Sequence, residues 1–149
     1  MRAVLDPNIL IAALLSPSGA PAQIVGRWLA GEFELVVSEM LLAELEQALG
    51  YPKLRDRISE SEAAEIMSLL RDGAIVAPDP STAPHRSTDP GDDYLLALAE
   101  NERAVLVSGD RHLLVLGDLL PIQSARRFLD DLQGARAPTP RGRQPAPPS

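Results

Sequence analysis

The chain has 149 residues, of which 45% are hydrophobic and 23% charged, with a net charge of −7 and no cysteine. A chain of this length is expected to form one domain that buries roughly 68–70% of the surface its unfolded form exposes. The lack of cysteine excludes disulfide scaffolds, thiolate zinc sites, iron–sulfur clusters and cysteine nucleophiles. Any metal must therefore be bound by oxygen ligands or by the two histidines, His85 and His112.

The charge and hydropathy pattern also limits the class of partner. No apolar run approaches the roughly 20 residues that span a bilayer, and Asp6 interrupts the hydrophobic N-terminus. We therefore expect a cytoplasmic protein that binds no membrane. The negative charge argues against a broad nucleic-acid surface, because phosphate binding uses clustered Lys and Arg. Of the 14 basic residues only Lys53 is a lysine, and the arginine guanidinium is suited to phosphate recognition.

Short apolar runs alternate with longer helical patterns along the chain. The predicted strands are 3–5, 33–37, 74–76, 104–107 and a weak one around 121–122. The helices between them have cap and stop residues, which are Ser59, Glu62 and Gly73 for one helix, Ser38 and Gly50 for another, and Ser124 for 125–132. Such alternation predicts a parallel sheet covered by helices on both faces, with right-handed crossovers.

The C-terminal segment 134–149 has a different composition from the rest. It is rich in proline and contains neither acidic nor large apolar residues, so it cannot form a packed core. We predict a folded domain over residues 1–133 and a disordered tail over 134–149. The tail includes Arg136, Arg141 and Arg143, and it is interpreted either as an inert extension or as a basic arm that contacts RNA.

Polar residues follow several of the predicted strands. Asp6 follows the first strand, Ser38 the second, and Ser108 and Asp110 the fourth. Ligands of open parallel sheets bind where the carboxyl ends of the strands meet, so Asp6 and Asp110 are expected at one rim. Each acid alone is also explained as a helix N-cap, a position that Asp favours. Their convergence at one rim favours a functional site.

Two further groups of acids lie beside predicted helix faces. The three acids of segment 89–93 precede the apolar segment 94–99, and they exceed what capping and the helix dipole require. In the helix after Ser38, both Glu44 and Glu46 border the buried face, and periodicity does not separate them. Several carboxylates in one cleft repel one another unless a cation neutralises them. Oxygen ligands favour Mg²⁺ or Mn²⁺, which serve phosphodiester hydrolysis.

Four segments of the chain resemble the motifs of a known protein family. They are VLDPN at 4–8, SEMLLAEL at 38–45, DPGDDYLLALA at 89–99 and VLVSGDRHLL at 105–114. Together, and in this order, they resemble the PIN-domain family of metal-dependent ribonucleases, in particular the toxins of bacterial toxin–antitoxin modules. The resemblance implies a three-layer α/β/α fold with a central parallel sheet. It also implies a divalent-metal-dependent endoribonuclease that hydrolyses phosphodiester bonds with a metal-activated water.

The resemblance implies roles for individual residues. The acidic quartet that binds Mg²⁺ or Mn²⁺ and performs catalysis corresponds to Asp6, Glu44, Asp93 and Asp110. Asn8 corresponds to the polar residue that steadies the first aspartate, and Ser108 to the hydroxyl before the last acid. The stretch between Asp93 and Val105 is one residue short, so Asp92 is a rival for the third position. Pro7 and His112 depart from the family pattern, which usually has a small hydroxyl residue and often an aspartate there.

The resemblance further implies an RNA substrate, a protein antitoxin as partner and a homodimer. Three other classes of function remain as alternatives. A Mg²⁺-dependent phosphoacceptor domain needs a late lysine, and none follows Lys53. A phosphatase with an aspartate nucleophile needs a second acid where Asn8 stands. A degenerate PIN-fold binding module without catalysis is disfavoured because the quartet is complete.

Overall fold

A computed structural model describes residues 1–80, 93–117 and 120–136, with side chains at 112, 135 and 136 excepted. The elements in chain order are β1 (Arg2–Leu5), α1 (Pro7–Leu15), α2 (Ala20–Leu29), β2 (Glu34–Val37), α3 (Glu39–Leu49), α4 (Pro52–Arg55), α5 (Glu60–Gly73), β3 (Ile75–Val76), α6 (Asp93–Asn101), β4 (Val105–Val107), α7 (Arg111–Leu114), β5 (Ile122–Gln123) and α8 (Ala125–Arg136). His85, Asp89, Asp92 and the segment from 137 onward, which includes most of the predicted disordered tail, lie outside the described residues.

The strands form one parallel sheet in the order β3-β2-β1-β4-β5. The register aligns Leu5 at the end of β1 with Val107 at the end of β4, and Val107 with Gln123 at the end of β5. Because every strand runs in the same direction, all carboxyl ends lie at one edge of the sheet, here called the carboxyl rim. This arrangement confirms the predicted parallel sheet.

The strand order also explains the layers. The chain moves outward from β1 through β2 to β3, then returns to β4 and continues to β5. Right-handed crossovers place the helices of these two excursions on opposite faces of the sheet. Helix α6 packs against β1 and β4, whereas α1 packs against α2 and α3, and α8 against α2. The result is the predicted three-layer α/β/α fold.

The core consists of the sheet and the helix faces that cover it. The buried strand residues Leu5, Leu35 and Leu106 are at most 1% exposed. These central strands are apolar without alternation because helices cover both of their faces. At the end of the chain, the ring of Phe128 in α8 meets that of Phe33 edge to face, with centroids 5.2 Å apart. This contact fixes the last helix to the domain.

Local capping signals predicted several helix boundaries. Both hydrogen bonds of the capping box between Ser59 and Glu62 are present, and α5 ends at Gly73. Ser38 caps α3 by accepting from the Leu41 amide. The four-residue helix α4 was not predicted as a separate element, since one turn is too short to show a helical period. Helix α7 begins directly after Asp110, where the N-cap interpretation of that residue places a helix.

Among the described residues no single helix is long and apolar enough to cross a membrane, and α1 with α2 meets those criteria only as a pair bent by 101°.

Candidate functional site

Asp6 lies at the centre of the carboxyl rim, directly after β1. Its amide donates to the carbonyl of Val107 at 3.0 Å, which joins the ends of β1 and β4. Its Oδ1 accepts from the amide of Asn8 at 3.0 Å, so Asp6 is the N-cap of α1. Its Oδ2 accepts from the Ser108 hydroxyl at 2.9 Å. Asp6 is therefore both the N-cap of α1 and a residue of the carboxyl rim, as the two interpretations of the sequence proposed.

The environment of Asp6 disfavours its negative charge. The residue is only 5% exposed, and this burial is the main cause that raises the pKa of its carboxyl above the ordinary value. The hydrogen bonds from Asn8 and Ser108 lower the pKa, but the nearby carboxylates of Glu44 and Asp110 raise it again. A positive charge near Asp6 would offset both the cost of burying the carboxylate and the repulsion from Glu44 and Asp110.

Ser108 connects two of the predicted acids. Its side chain is fully buried. The hydroxyl donates to Asp6 and accepts from the Asp110 amide at 3.0 Å. This two-sided contact holds the loop after β4 against the end of β1. Asn8, in contrast, contacts Asp6 through its backbone amide, and its own side chain is exposed.

Glu44 and Glu46, which periodicity left unresolved, point to different surroundings. Glu44 lies close enough to Asp6 to affect its pKa, and it accepts a hydrogen bond from the Tyr94 hydroxyl. Glu46 instead lines a groove of about 430 Å³ between α3 and α5, together with Arg55 and other residues. Of the two glutamates, the structure brings Glu44 toward the carboxyl rim.

The third predicted acid opens α6. Asp93 is the first residue of that helix and is 3% exposed. Burial of a carboxylate at a helix start beside the rim is compatible with a ligand role, because the group is positioned and shielded from water. Its rival Asp92 lies outside the described residues, so the choice between them stays a prediction.

Two residues that sequence reasoning missed help to place α3. Asp79 follows β3, and its Oδ2 accepts from the Met40 amide at 3.0 Å in the first turn of α3. Its Oδ1 is buried and has no hydrogen-bond partner among the described residues. Extending the search for polar residues at strand ends to β3 identifies Asp79. The other missed residue, Tyr94, had no such signal, because its contact joins residues 50 positions apart.

The chemistry of these side chains fits a hard divalent cation. Among the described residues, no three His, Asp or Glu side chains are close enough together to hold a metal ion. Asp6, Glu44 and Asp110 nevertheless interact electrostatically at one rim. Their donors are carboxylate oxygens, which are the ligands of Mg²⁺ and Mn²⁺.

The comparisons with known proteins identify the class to which this fold and rim belong. A family model for the PIN domain matches residues 2–112. The chain belongs to the PIN-domain family, which confirms the resemblance found in the sequence.

The similar proteins include one sequence and two solved structures. An uncharacterized protein of Methanocaldococcus jannaschii, MJ1680, is 25% identical over 119 residues, which cover 79% of this chain and 76% of that protein. The structure of VapBC2 from Rickettsia felis bound to a promoter DNA fragment matches with a TM-score of 0.58 and 14% identity. That of FitAcB from Neisseria gonorrhoeae matches with a TM-score of 0.53 and 15% identity. Each match covers 83% of this chain and 98% of the other, and at these identities it shows the shared fold.

Proposed function

We propose that this protein is a divalent-metal-dependent endoribonuclease whose site lies at the carboxyl rim. The observation that carries the proposal is the buried carboxylate of Asp6, whose pKa is raised by burial and by the neighbouring Glu44 and Asp110. A bound cation would offset the cost of this buried charge, and carboxylates whose pKa is shifted by burial and by specific neighbours are concentrated at functional sites. Membership of the PIN-domain family supports nuclease chemistry at this position.

Asp6, Asp93 and Asp110 would hold Mg²⁺ or Mn²⁺, with Asp92 as the rival of Asp93. The bound ion supplies a water of lowered pKa and neutralises charge on the phosphate and the leaving oxygen. Glu44 is exposed on α3, where it completes the ligand set or accepts the proton of the attacking water. Ser108 holds Asp6 in place through its hydrogen bond.

An anionic substrate is supported by the start of α8. Helix α8 follows β5 and so begins at the carboxyl rim. Its first turn contains Arg126 and Arg127, whose side chains are 64% and 70% exposed and lie 4.0 and 3.6 Å from the carboxylates of Asp130 and Asp131, one turn further along the helix. Basic residues at a helix N-terminus add to the positive end of the helix dipole. The start of α8 therefore offers two exposed arginines to an RNA phosphate, which would compete with their weak surface ion pairs to Asp130 and Asp131.

The proposal extends to the biological setting. The sequence resemblance to toxins of toxin–antitoxin modules leads us to propose a protein antitoxin as partner, a homodimer as the assembly and the cytoplasm as the location. Light scattering of the purified chain, alone and with its co-expressed partner, measures the assembly.

The cleavage of single-stranded RNA with Mg²⁺ or Mn²⁺ tests the proposed function. We expect cleavage by the wild type that is abolished by EDTA. Asp6→Asn and Asp110→Asn should each lower the rate by at least about 100-fold, since changes outside the ligand shell already cost 10–100-fold. Asp72→Asn, which changes an exposed acid of α5, is the matched control and should cleave normally.

Equal cleavage by all variants would point to a contaminating nuclease. A wild type that neither cleaves RNA nor is stabilised by Mn²⁺ would refute the proposal and leave the non-catalytic binding module as the better interpretation.

A further inference from the structure

We propose that Tyr94 is a positioning residue that holds Glu44 in the orientation needed for cation binding. This inference rests on the proposed function, in which Glu44 belongs to the carboxylate site. It assigns a specific task to a neutral side chain outside the acidic quartet.

The first support is the contact itself. Tyr94 follows the buried Asp93 in the first turn of α6 and is half-buried. Its hydroxyl donates to Oε1 of Glu44 on α3. One residue pair thus joins the helix that begins with Asp93 to the helix that bears Glu44. The Tyr94 contact fixes Glu44 relative to Asp93.

The second support is the freedom that Glu44 would have without this contact. The residue is exposed on α3, and a free glutamate side chain loses considerable rotamer entropy when a ligand immobilises it. A partner that orients the carboxylate beforehand reduces that loss at the moment of binding. The backbone of α3 is itself fixed at its start by Ser38 and Asp79. The Tyr94 hydroxyl then orients the carboxylate of Glu44 on this fixed helix.

The third support is the chemistry of the donor. A carboxylate has about four acceptor positions, so a hydrogen bond at Oε1 leaves Oε2 available to a cation. A lysine or arginine here would neutralise Glu44 and oppose the binding of a positive ion. The neutral phenol orients the carboxylate and leaves its charge intact.

The test is a double-mutant cycle read by Mn²⁺ affinity of the full chain, measured by calorimetry. Tyr94→Phe keeps the ring and removes the hydroxyl, and we expect about tenfold weaker Mn²⁺ binding, the lower end for groups that orient metal ligands. In a Glu44→Ala background the same change should have little further effect, because the side chain that accepts from the Tyr94 hydroxyl is gone. Tyr51→Phe is the matched control, since Tyr51 is the other tyrosine of the chain and is exposed on the surface.

A second measurement needs no metal. In protein labelled with ¹³C at glutamate side chains, the Glu44 carboxyl signal should shift and its side chain should become more mobile in Tyr94→Phe, and neither should change in Tyr51→Phe. An unchanged signal would show that the hydroxyl does not orient Glu44, and the inference would be wrong.

The outcomes separate the two proposals. If wild type and Tyr94→Phe bind Mn²⁺ equally well, Tyr94 does not position Glu44, and the nuclease proposal still stands. Equal losses from Tyr94→Phe in both backgrounds mean that Tyr94 acts only through general packing, which also overturns the inference. Wild type that binds no Mn²⁺ overturns both.

Discussion

The charge on Asp6 should make the metal-free protein less stable as pH rises, and Asp6→Asn should remove this dependence. Burial and the acids Glu44 and Asp110 raise the pKa of Asp6 in the folded state above its ordinary value of 3.8. Well below pH 3.8 the carboxyl is protonated in both the folded and the unfolded state, and its charge makes no difference to stability. As pH rises, the unfolded chain releases its proton first, so the folded state binds more protons and the free energy of unfolding falls. This loss is complete above the raised pKa.

The size of the effect follows from linkage. Each pKa unit between the folded and unfolded states corresponds to about 1.4 kcal/mol. A change of 1 kcal/mol moves the Tm of a domain of about 150 residues by roughly 2–4 °C. Asp6→Asn also loses the hydrogen bond that the Ser108 hydroxyl donates to a charged acceptor, about 1.5–3 kcal/mol. In wild type this hydrogen bond is among the causes that lower the pKa of Asp6, so the change in the mutant-minus-wild-type difference between low and high pH measures the net cost of the charge.

The assay is thermal unfolding of wild type and Asp6→Asn in EDTA between pH 4 and pH 8. We expect the Tm of the mutant, relative to wild type, to increase as pH rises through this range. Asp72→Asn removes an exposed negative charge and should follow the wild-type profile. If the mutant-minus-wild-type difference in Tm is constant, or becomes more negative as pH rises, then burial and the neighbouring acids do not disfavour the charge of Asp6.

Two further variants test the structure on which the site depends. Ser108→Ala removes the buried donor to Asp6 and should destabilise the fold by about 1–3 kcal/mol in urea unfolding, because the Asp6 carboxylate and the Asp110 amide both lose a partner. A change below experimental error would mean that the contact is not formed. Phe128→Ala should lower the free energy of unfolding by about 3–5 kcal/mol, since it removes a fully buried ring packed on Phe33. A decrease under about 1 kcal/mol in the same assay would show that α8 is not part of the cooperative core.

Much of the fold could be predicted from short-range patterns. The capping box at Ser59 and Glu62 and the stop at Gly73 give the bounds of α5 because caps act within one turn. The apolar runs that became β1 and β4 are continuous since both sheet faces are covered. Alternation of these elements then implies parallel strands, and parallel strands bring Asp6 and Asp110 to one rim.

The sequence by itself therefore determined the element types, the parallel sheet and the rim on which acids gather. The family resemblance favoured Glu44 over Glu46, but periodicity could not, because both residues border the same helix face in the local pattern. The tertiary structure shows what separates them, since Glu44 lies near Asp6 and Glu46 lines a separate groove. It alone revealed the bond between Ser108 and Asp6 across 102 positions. Helical and strand periods describe neighbours along the chain, whereas such contacts depend on the order of the strands and the packing of the helices upon them.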